Sequence, residues 1–203
     1  MMLKNFQNFA GKRELNQRYW KKNKIRIGII GPSKTREKEL IEKVAKLVAK
    51  SGNEIVVTPD KGSASEFFAQ EYLSQKGKKV YSVIPLDDKE FGYGWVNQEI
   101  GEKVNCGTWR NQPEKLNELS DALICIGWAD GVLAEIAYAK WFKPKGIDRK
   151  PVYIITELAP GKLPKDSCKS DIRYIPISSL EKEIKKSIKE LVQKGVSRKG
   201  LFK

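Results

Sequence analysis

One stretch of the chain decides the fold: Asp121-Ala-Leu-Ile-Cys-Ile-Gly-Trp-Ala-Asp-Gly-Val-Leu-Ala-Glu135. Residues 122–126 are apolar without alternation, which is typical of a central parallel strand covered on both faces. Gly127 and Gly131 bracket a turn in which the backbone can approach a bound group closely. The helix that begins near Gly131 would direct its unpaired N–H groups and the positive end of its dipole toward an anion such as a phosphate.

Two carboxylates belong to this turn and helix. Glu135 lies about one helical turn beyond the predicted anion site, so it can act on the part of a ligand next to the phosphate. It can equally do no more than stabilise the helix N-terminus electrostatically, and the sequence leaves both roles open. For Asp130 we expect a helix-capping role, with a share in the work of Glu135 as the alternative.

The rest of the chain alternates strand and helix. Apolar runs predict strands at residues 25–30, 54–58, 79–84, 122–126, 151–156 and 172–176. Helical periodicity and capping signals predict helices at residues 36–51, 63–75, 131–142 and 180–192. This order predicts an α/β fold, a Rossmann-like three-layer sandwich with a mostly parallel sheet and helices on both faces.

The net charge of +14 is concentrated at the two ends of the chain. Residues 1–24 carry +6 and residues 140–203 carry +10, whereas residues 25–139 carry −2. We therefore expect a basic extension over residues 1–24, one nucleotide-binding domain over residues 25–195, and a flexible basic tail over residues 196–203. Basic ends can hold nucleic acid through phosphate contacts or can be solvated surface, and nucleic acid is the less favoured partner.

Several classes of site are excluded or disfavoured by composition. The chain has no histidine, so histidine-based triads, dyads and zinc sites are ruled out. Its three cysteines, Cys106, Cys125 and Cys168, are too far apart for Cys-x-x-Cys motifs. We expect no metal site, no cofactor and no membrane segment, and a cytoplasmic location.

The turn from Trp128 to Glu135 resembles the Gly-Gly-x-Gly-Thr-x-x-Glu turn of a Rossmann-like family. This family includes the LONELY GUY ("lysine decarboxylase-like") phosphoribohydrolases and the molybdenum-cofactor carrier proteins. Gly131 and Glu135 are in place, and residues 104–111 resemble the family segment that ends in Arg-Asn, so Arg110 would match its functional arginine. The resemblance covers about residues 25–157.

The chain departs from the family pattern at several positions. Trp128 and Ala129 replace two glycines, and Val132 replaces the threonine. The first glycine-rich loop, within residues 55–65, retains only Gly62 of the usual glycine cluster. These changes remove a hydroxyl that could bind phosphate and reduce the room for close backbone approach.

The resemblance implies a protein that binds a nucleotide or another phosphorylated small molecule. It assigns catalytic roles to Glu135 and Arg110. It assigns phosphate or nucleotide binding to Gly31, Pro32, Ser33, Lys34, Gly62, Ser63, Asn111, Gly127, Trp128, Ala129, Asp130, Gly131 and Val132. The reaction implied is hydrolysis of the N-glycosidic bond of nucleoside 5′-monophosphates, and the alternative is a non-catalytic carrier or sensor of a phosphorylated ligand such as molybdenum cofactor. A homodimer is also implied.

The long connection at residues 86–107 contains the aromatic run Phe91-Gly-Tyr-Gly-Trp95. Connections of this length tend to be functional or mobile. We expect the run either to close over the base of a ligand or to pack across a dimer interface or onto the sheet.

Overall fold

A parallel sheet of seven strands forms the centre of the computed structural model, which describes residues 25–144, 147–164 and 170–193. The predicted basic extension, the predicted tail and Cys168 lie outside the described residues. The strands are β1 (Arg26–Ile30), β2 (Glu54–Val57), β3 (Val80–Ile84), β4 (Glu102–Asn105), β5 (Ala122–Cys125), β6 (Pro151–Ile155) and β7 (Asp171–Ile175). Their order is β4-β3-β2-β1-β5-β6-β7, and every neighbouring pair is parallel.

Helices cover both faces of the sheet. They are α1 (Lys38–Ser51), α2 (Ala64–Ser74), α3 (Gln112–Leu119), α4 (Asp130–Tyr138) and α5 (Ile177–Gln193), with a 3-10 turn at Trp109–Asn111. Helices α1, α2 and α5 enclose one apolar core, and α3 and α4 enclose the other. The predicted three-layer Rossmann-like sandwich is thereby confirmed.

Local sequence explains where two of these helices begin and end. Ser63 caps α2 by accepting a hydrogen bond from the N–H of Glu66 (3.0 Å), while the Glu66 carboxylate accepts one from the N–H of Gly62 (2.6 Å). Helix α1 ends at Gly52, whose φ of 62° is left-handed and whose N–H bonds the carbonyl of Ala49. The Ser63 cap fixes the loop at the carboxyl end of β2, and the Gly52 cap fixes the turn that leads into the amino end of β2.

Two elements were not predicted from the sequence. Strand β4 lies inside the long connection at residues 86–107, and three of its four side chains are exposed because it is an edge strand. Helix α3 has only eight residues and carries Pro113 in its first turn, so its apolar periodicity is short. Neither segment gives the apolar run on which the other strands and helices were recognised.

The topology places a switch point between β1 and β5. From β1 the chain proceeds outward to β4 on one side, then returns to β5 and proceeds outward to β7 on the other. In open α/β sheets, ligands bind beyond the carboxyl ends of the strands at such a point. Among the described residues, no helix combines the length and hydropathy that a bilayer crossing requires.

Candidate functional site

The loops after β1 and β5 pack against each other at the switch point. A Cβ atom on Gly31 would lie 2.8 Å from Cγ1 of Ile126, and one on Gly127 would lie 2.7 Å from Cδ of Pro32. Gly127 also has a φ of 149°, which L side chains rarely adopt. Both glycines are therefore needed for the loops to approach this closely.

A cleft of about 370 Å³ opens at this point, and we call it the carboxyl cleft. It is lined by Gly31, Ser33, Thr58, Asp60, Ser63, Ser65, Trp109, Gln112, Pro113, Ala129, Asp130, Gly131, Val132 and Glu135. Three of these residues carry carboxyl groups, and none is lysine or arginine. Its volume lies in the range of small-molecule sites.

The N-terminus of α4 faces this cleft. Its N-cap is Ala129, which has no side-chain acceptor, so the predicted capping role of Asp130 is wrong: Asp130 is exposed in the first turn. A Cβ atom on Gly131 would meet nothing within 4 Å, so the space above this glycine is open to a ligand. Val132 is buried in the core and presents no hydroxyl to the cleft.

Glu135 is the most buried acid of the site. Its side chain is only 7% exposed and has no hydrogen bond or ion pair with any described residue. Burial, and secondarily the negative charge of Asp60, raises the pKa of Glu135 from 4.5 to about 8. A carboxyl group that holds its proton near neutral pH can donate as well as accept a hydrogen bond.

Asp60 is a second carboxyl of the site, partly buried, and it was not among the predicted site residues. Its Oδ1 atom is buried without a hydrogen-bond partner among the described residues. Burial, and secondarily the charge of Glu66, raises its pKa from 3.8 to about 6. The signal that could have found it is its position directly after a strand that neighbours β1, since the carboxyl ends of parallel strands meet at one edge of the sheet.

A second cleft of about 520 Å³ adjoins the first, and we call it the lysine cleft. It is lined by Pro32, Ser33, Lys34, Arg36, Glu37, Ile41, Ala64, Ile126, Gly127, Trp128, Ala129, Glu157, Leu158 and Pro160. Neither Lys34 nor Arg36 forms an ion pair with a described residue. The two clefts share Ser33 and Ala129.

Trp128 belongs to the lysine cleft. Its indole N–H donates to the carbonyl of Pro160 at 2.9 Å, which holds the ring on that side of the switch point. The carboxyl cleft is therefore not filled by this side chain.

Arg110 and Asn111 line neither cleft. The Arg110 guanidinium is exposed and pairs with Glu90 at 2.8 Å, and the hydrogen bond to that carboxylate, followed by its charge, raises the pKa of Arg110. The Asn111 side chain accepts from the Thr108 hydroxyl at 3.1 Å. The structure therefore does not bring Arg110 and Glu135 into one cleft.

The other predicted site residues divide between the two clefts. The carboxyl cleft receives Gly31, Ser33, Ser63, Ala129, Asp130, Gly131, Val132 and Glu135. The lysine cleft receives Pro32, Ser33, Lys34, Gly127, Trp128 and Ala129. Gly62 lines neither: with a φ of 81°, it uses its carbonyl to accept from the N–H (3.2 Å) and hydroxyl (3.1 Å) of Thr35, which ties two loops together.

No protein-family model and no curated protein matches the sequence. Solved structures do share its fold. The molybdenum cofactor binding protein from the phototrophic bacterium Rippkaea orientalis is similar with a TM-score of 0.64 and 18% identity, over 82% of this chain and 99% of that one. The Moco carrier protein from Chlamydomonas reinhardtii is similar with a TM-score of 0.61 and 16% identity, over 83% and 100%. These likenesses confirm the fold that the sequence resemblance implies.

Proposed function

We propose that this protein binds a phosphorylated small molecule at the switch point between β1 and β5, with the phosphate where the two clefts meet. The observation that carries the proposal is the N-terminus of α4. It lines the carboxyl cleft together with Ser33, and its N-cap residue, Ala129, provides no side-chain cap. Unpaired N–H groups at a helix start, together with the helix dipole, form a ready site for an anion.

The charged residues around the two clefts favour one orientation of this ligand. Lys34 stands beside the junction without a partner among the described residues, whereas the carboxyl cleft contains only acidic charged groups. A phosphate is attracted to the lysine and repelled by the carboxylates. The remainder of the ligand, with its hydroxyl or amino groups, then faces Asp60 and Glu135, which accept hydrogen bonds.

Binding without catalysis is the function that these contacts favour. Arg110, the second residue of the expected catalytic pair, is held at the surface by Glu90. Val132 offers no hydroxyl for a phosphate. Two solved proteins of the same fold are described as a molybdenum cofactor binding protein and a Moco carrier protein, and this supports a carrier role.

The test is direct binding. The purified protein is analysed by mass spectrometry for a retained ligand, and its thermal unfolding is followed while AMP or ribose 5-phosphate is added. Ser33→Asp places a negative charge at the proposed phosphate position, and Ser74→Asp places one on the exposed surface of α2 as the control. We expect stabilisation of the wild type and of the Ser74 variant only. No retained phosphate compound and no stabilisation by either probe would refute the proposal.

Hydrolysis of the N-glycosidic bond in nucleoside 5′-monophosphates is the second candidate. It is favoured by Glu135, whose raised pKa of about 8 suits a group that exchanges protons near neutral pH. Release of free base from AMP or GMP by the wild type, abolished by Glu135→Gln, would establish it. Absence of base release from both nucleotides removes it.

We also propose a homodimer. Trp141, three residues after the end of α4, is 64% exposed, and Tyr138 packs against it and against Phe142. Light scattering is expected to give twice the chain mass of 23.1 kDa. Trp141→Glu is expected to reduce the measured mass to that of a single chain. If the variant keeps the mass of the dimer, Trp141 is not part of the interface.

A further inference from the structure

One aromatic side chain lines the carboxyl cleft and a second packs against it, and the proposed function uses neither. Trp109 lines the cleft and is 40% exposed, and Phe91 beside it is 56% exposed. Their ring centroids are 5.8 Å apart and their planes are nearly perpendicular, at 82°. Large aromatic side chains seldom remain this exposed at a cleft unless they meet a ligand or a partner.

The backbone holds both rings in place. The carboxylate of Asp88, which is 5% exposed, accepts the N–H of Phe91 through Oδ1 at 2.9 Å and the N–H of Trp109 through Oδ2 at 2.9 Å. One side chain thus joins the connection after β3 to the 3-10 turn before α3. Because the backbone that carries both rings is anchored before any ligand arrives, less conformational entropy is lost when one of the rings is contacted.

The neighbouring loop closes over the same side of the site. Lys61 donates to the carbonyl of Gly94 (2.6 Å) and, through its N–H, to that of Trp95 (3.0 Å). Asn97 donates to the carboxylate of Glu66 at 2.7 Å. Hydrogen bonds therefore attach the connection at residues 86–107 to the loop that carries Asp60, and Trp109 and Asp60 line the same cleft.

Arg110 contacts Trp109 although it lines neither cleft. Its guanidinium lies 5.0 Å from the centroid of the Trp109 ring and pairs with Glu90. A cation over an indole is attracted by the electron-rich face of the ring. The arginine therefore fixes the orientation of Trp109.

We propose that Trp109 is the platform on which a planar heteroaromatic ring of the ligand stacks, which gives the site a preference for a phosphorylated ligand with such a ring over a simple sugar phosphate. This inference rests on the proposed function, because it requires a phosphate at the junction of the two clefts. A base on Trp109 and a phosphate beside Ser33 would place the connecting sugar along Asp60 and Glu135, all of which line the same 370 Å³ cleft.

The experiment removes the ring from the ligand and the indole from the protein in turn. Binding of AMP, GMP and ribose 5-phosphate is measured by calorimetry for the wild type, Trp109→Leu and the control Trp141→Leu. Trp141 is a more exposed tryptophan that follows α4 and lines neither cleft, and leucine keeps an apolar side chain at the proposed dimer contact. Stacking of a base on an aromatic side chain corresponds to an affinity change of about tenfold.

We expect that removal of the base from the ligand and removal of the indole from the protein do not have additive effects on binding affinity. AMP or GMP binds the wild type about tenfold more tightly than ribose 5-phosphate does, and Trp109→Leu abolishes that preference while ribose 5-phosphate affinity changes less than twofold. Trp141→Leu changes neither affinity. As a second variant that retains an aromatic ring, Trp109→Tyr preserves most of the preference and serves if the leucine variant does not fold.

The contrary outcomes are distinct. Equal affinity of the wild type for the nucleotides and ribose 5-phosphate overturns the stacking proposal but leaves phosphate binding intact. Equal weakening of all probes in Trp109→Leu assigns the indole to packing and also overturns it. If no probe binds the wild type, the proposed function fails, and the stacking proposal fails with it.

Discussion

The carboxyl cleft and the lysine cleft share two residues, Ser33 and Ala129, but differ in charge. The first is lined by three acidic side chains and no basic one. The second is lined by two basic and two acidic side chains, and one of the acids, Glu157, is occupied by the N–H of Ile177 and the hydroxyl of Thr156. A helix N-terminus at the boundary thus faces an environment that attracts an anion on one side and repels it on the other.

The magnitude of this difference decides where a phosphate can lie. Two unit charges 4 Å apart interact by about 4 kcal/mol at an effective dielectric constant of 20. A phosphate deep in the carboxyl cleft would meet repulsion of this order from each ionised carboxylate. A helix N-terminus stabilises an anion by only about 0.3–2 kcal/mol, so the helix alone cannot offset it. This difference supports the proposed phosphate position beside Lys34 rather than deep in the carboxyl cleft.

The largest effect is expected from removing the charge that Glu135 would carry. Its pKa is about 8 in the folded protein against an ordinary 4.5, so the folded state holds the proton more tightly than the unfolded chain. The stability that this proton contributes is complete below about pH 4.5 and is lost as the pH rises through about 8. Glu135→Gln imitates the protonated form, and we expect it to raise the free energy of unfolding at pH 9 by on the order of 1–4 kcal/mol.

Urea unfolding of both proteins at pH 5, 7 and 9 measures this effect. The gain should be small at pH 5 and grow with pH. Asp130→Asn, which removes an exposed carboxyl of the same cleft, serves as the control and should change stability little at any of the three pH values. A gain independent of pH would show that Glu135 is not held protonated in the folded protein.

Much of the fold was predictable because burial on both faces of a parallel strand leaves an apolar run in the sequence. Residues 122–126 and the glycines after them showed the strand and the turn, and Glu135 followed from helix geometry. Strand β4 gave no such signal, because an edge strand keeps polar side chains. The site residues that directly follow a buried strand were therefore the easiest to predict from the sequence.

The rest of the site depends on contacts between distant residues. Asp60 reaches the carboxyl cleft because β2 lies next to β1, and the strand order is not written in a local pattern. Arg110 lies next in sequence to Trp109, but only Trp109 lines the cleft, because Glu90, twenty positions earlier, binds the guanidinium. A motif places residues along the chain and not in space.

Reversing the one charge nearest the junction gives the next largest effect. Lys34→Glu turns the favourable side of the phosphate position into an unfavourable one, and we expect AMP to bind more than tenfold more weakly. Lys46→Glu makes the same change on the exposed surface of α1, and affinity should stay within twofold of the wild type. Equal loss in both variants would mean that only the overall charge of the protein matters, which high salt would also reveal.

Gly131 allows stability and binding to be separated. An added Cβ meets no protein atom within 4 Å, and alanine is the better helix former, so Gly131→Ala should stabilise the protein by about 0.4–1 kcal/mol. The same methyl group occupies space at the helix start that a phosphate would approach, so AMP affinity should fall severalfold. Thermal unfolding with and without AMP measures both. If Gly131→Ala stabilises the protein without weakening AMP binding, the ligand does not bind next to this turn.

The smallest effect is expected where the sequence resemblance predicted one of the largest. Arg110→Ala removes an exposed ion pair with Glu90, and such pairs contribute little in solvent. Because the guanidinium lines neither cleft, ribose 5-phosphate should bind this variant within twofold of the wild type. A nucleotide should lose slightly more affinity, since Arg110 also orients the Trp109 ring. Loss of ribose 5-phosphate binding on this substitution would instead bring the arginine to the phosphate in the bound state, with Glu90 released, and would restore the catalytic pair with Glu135.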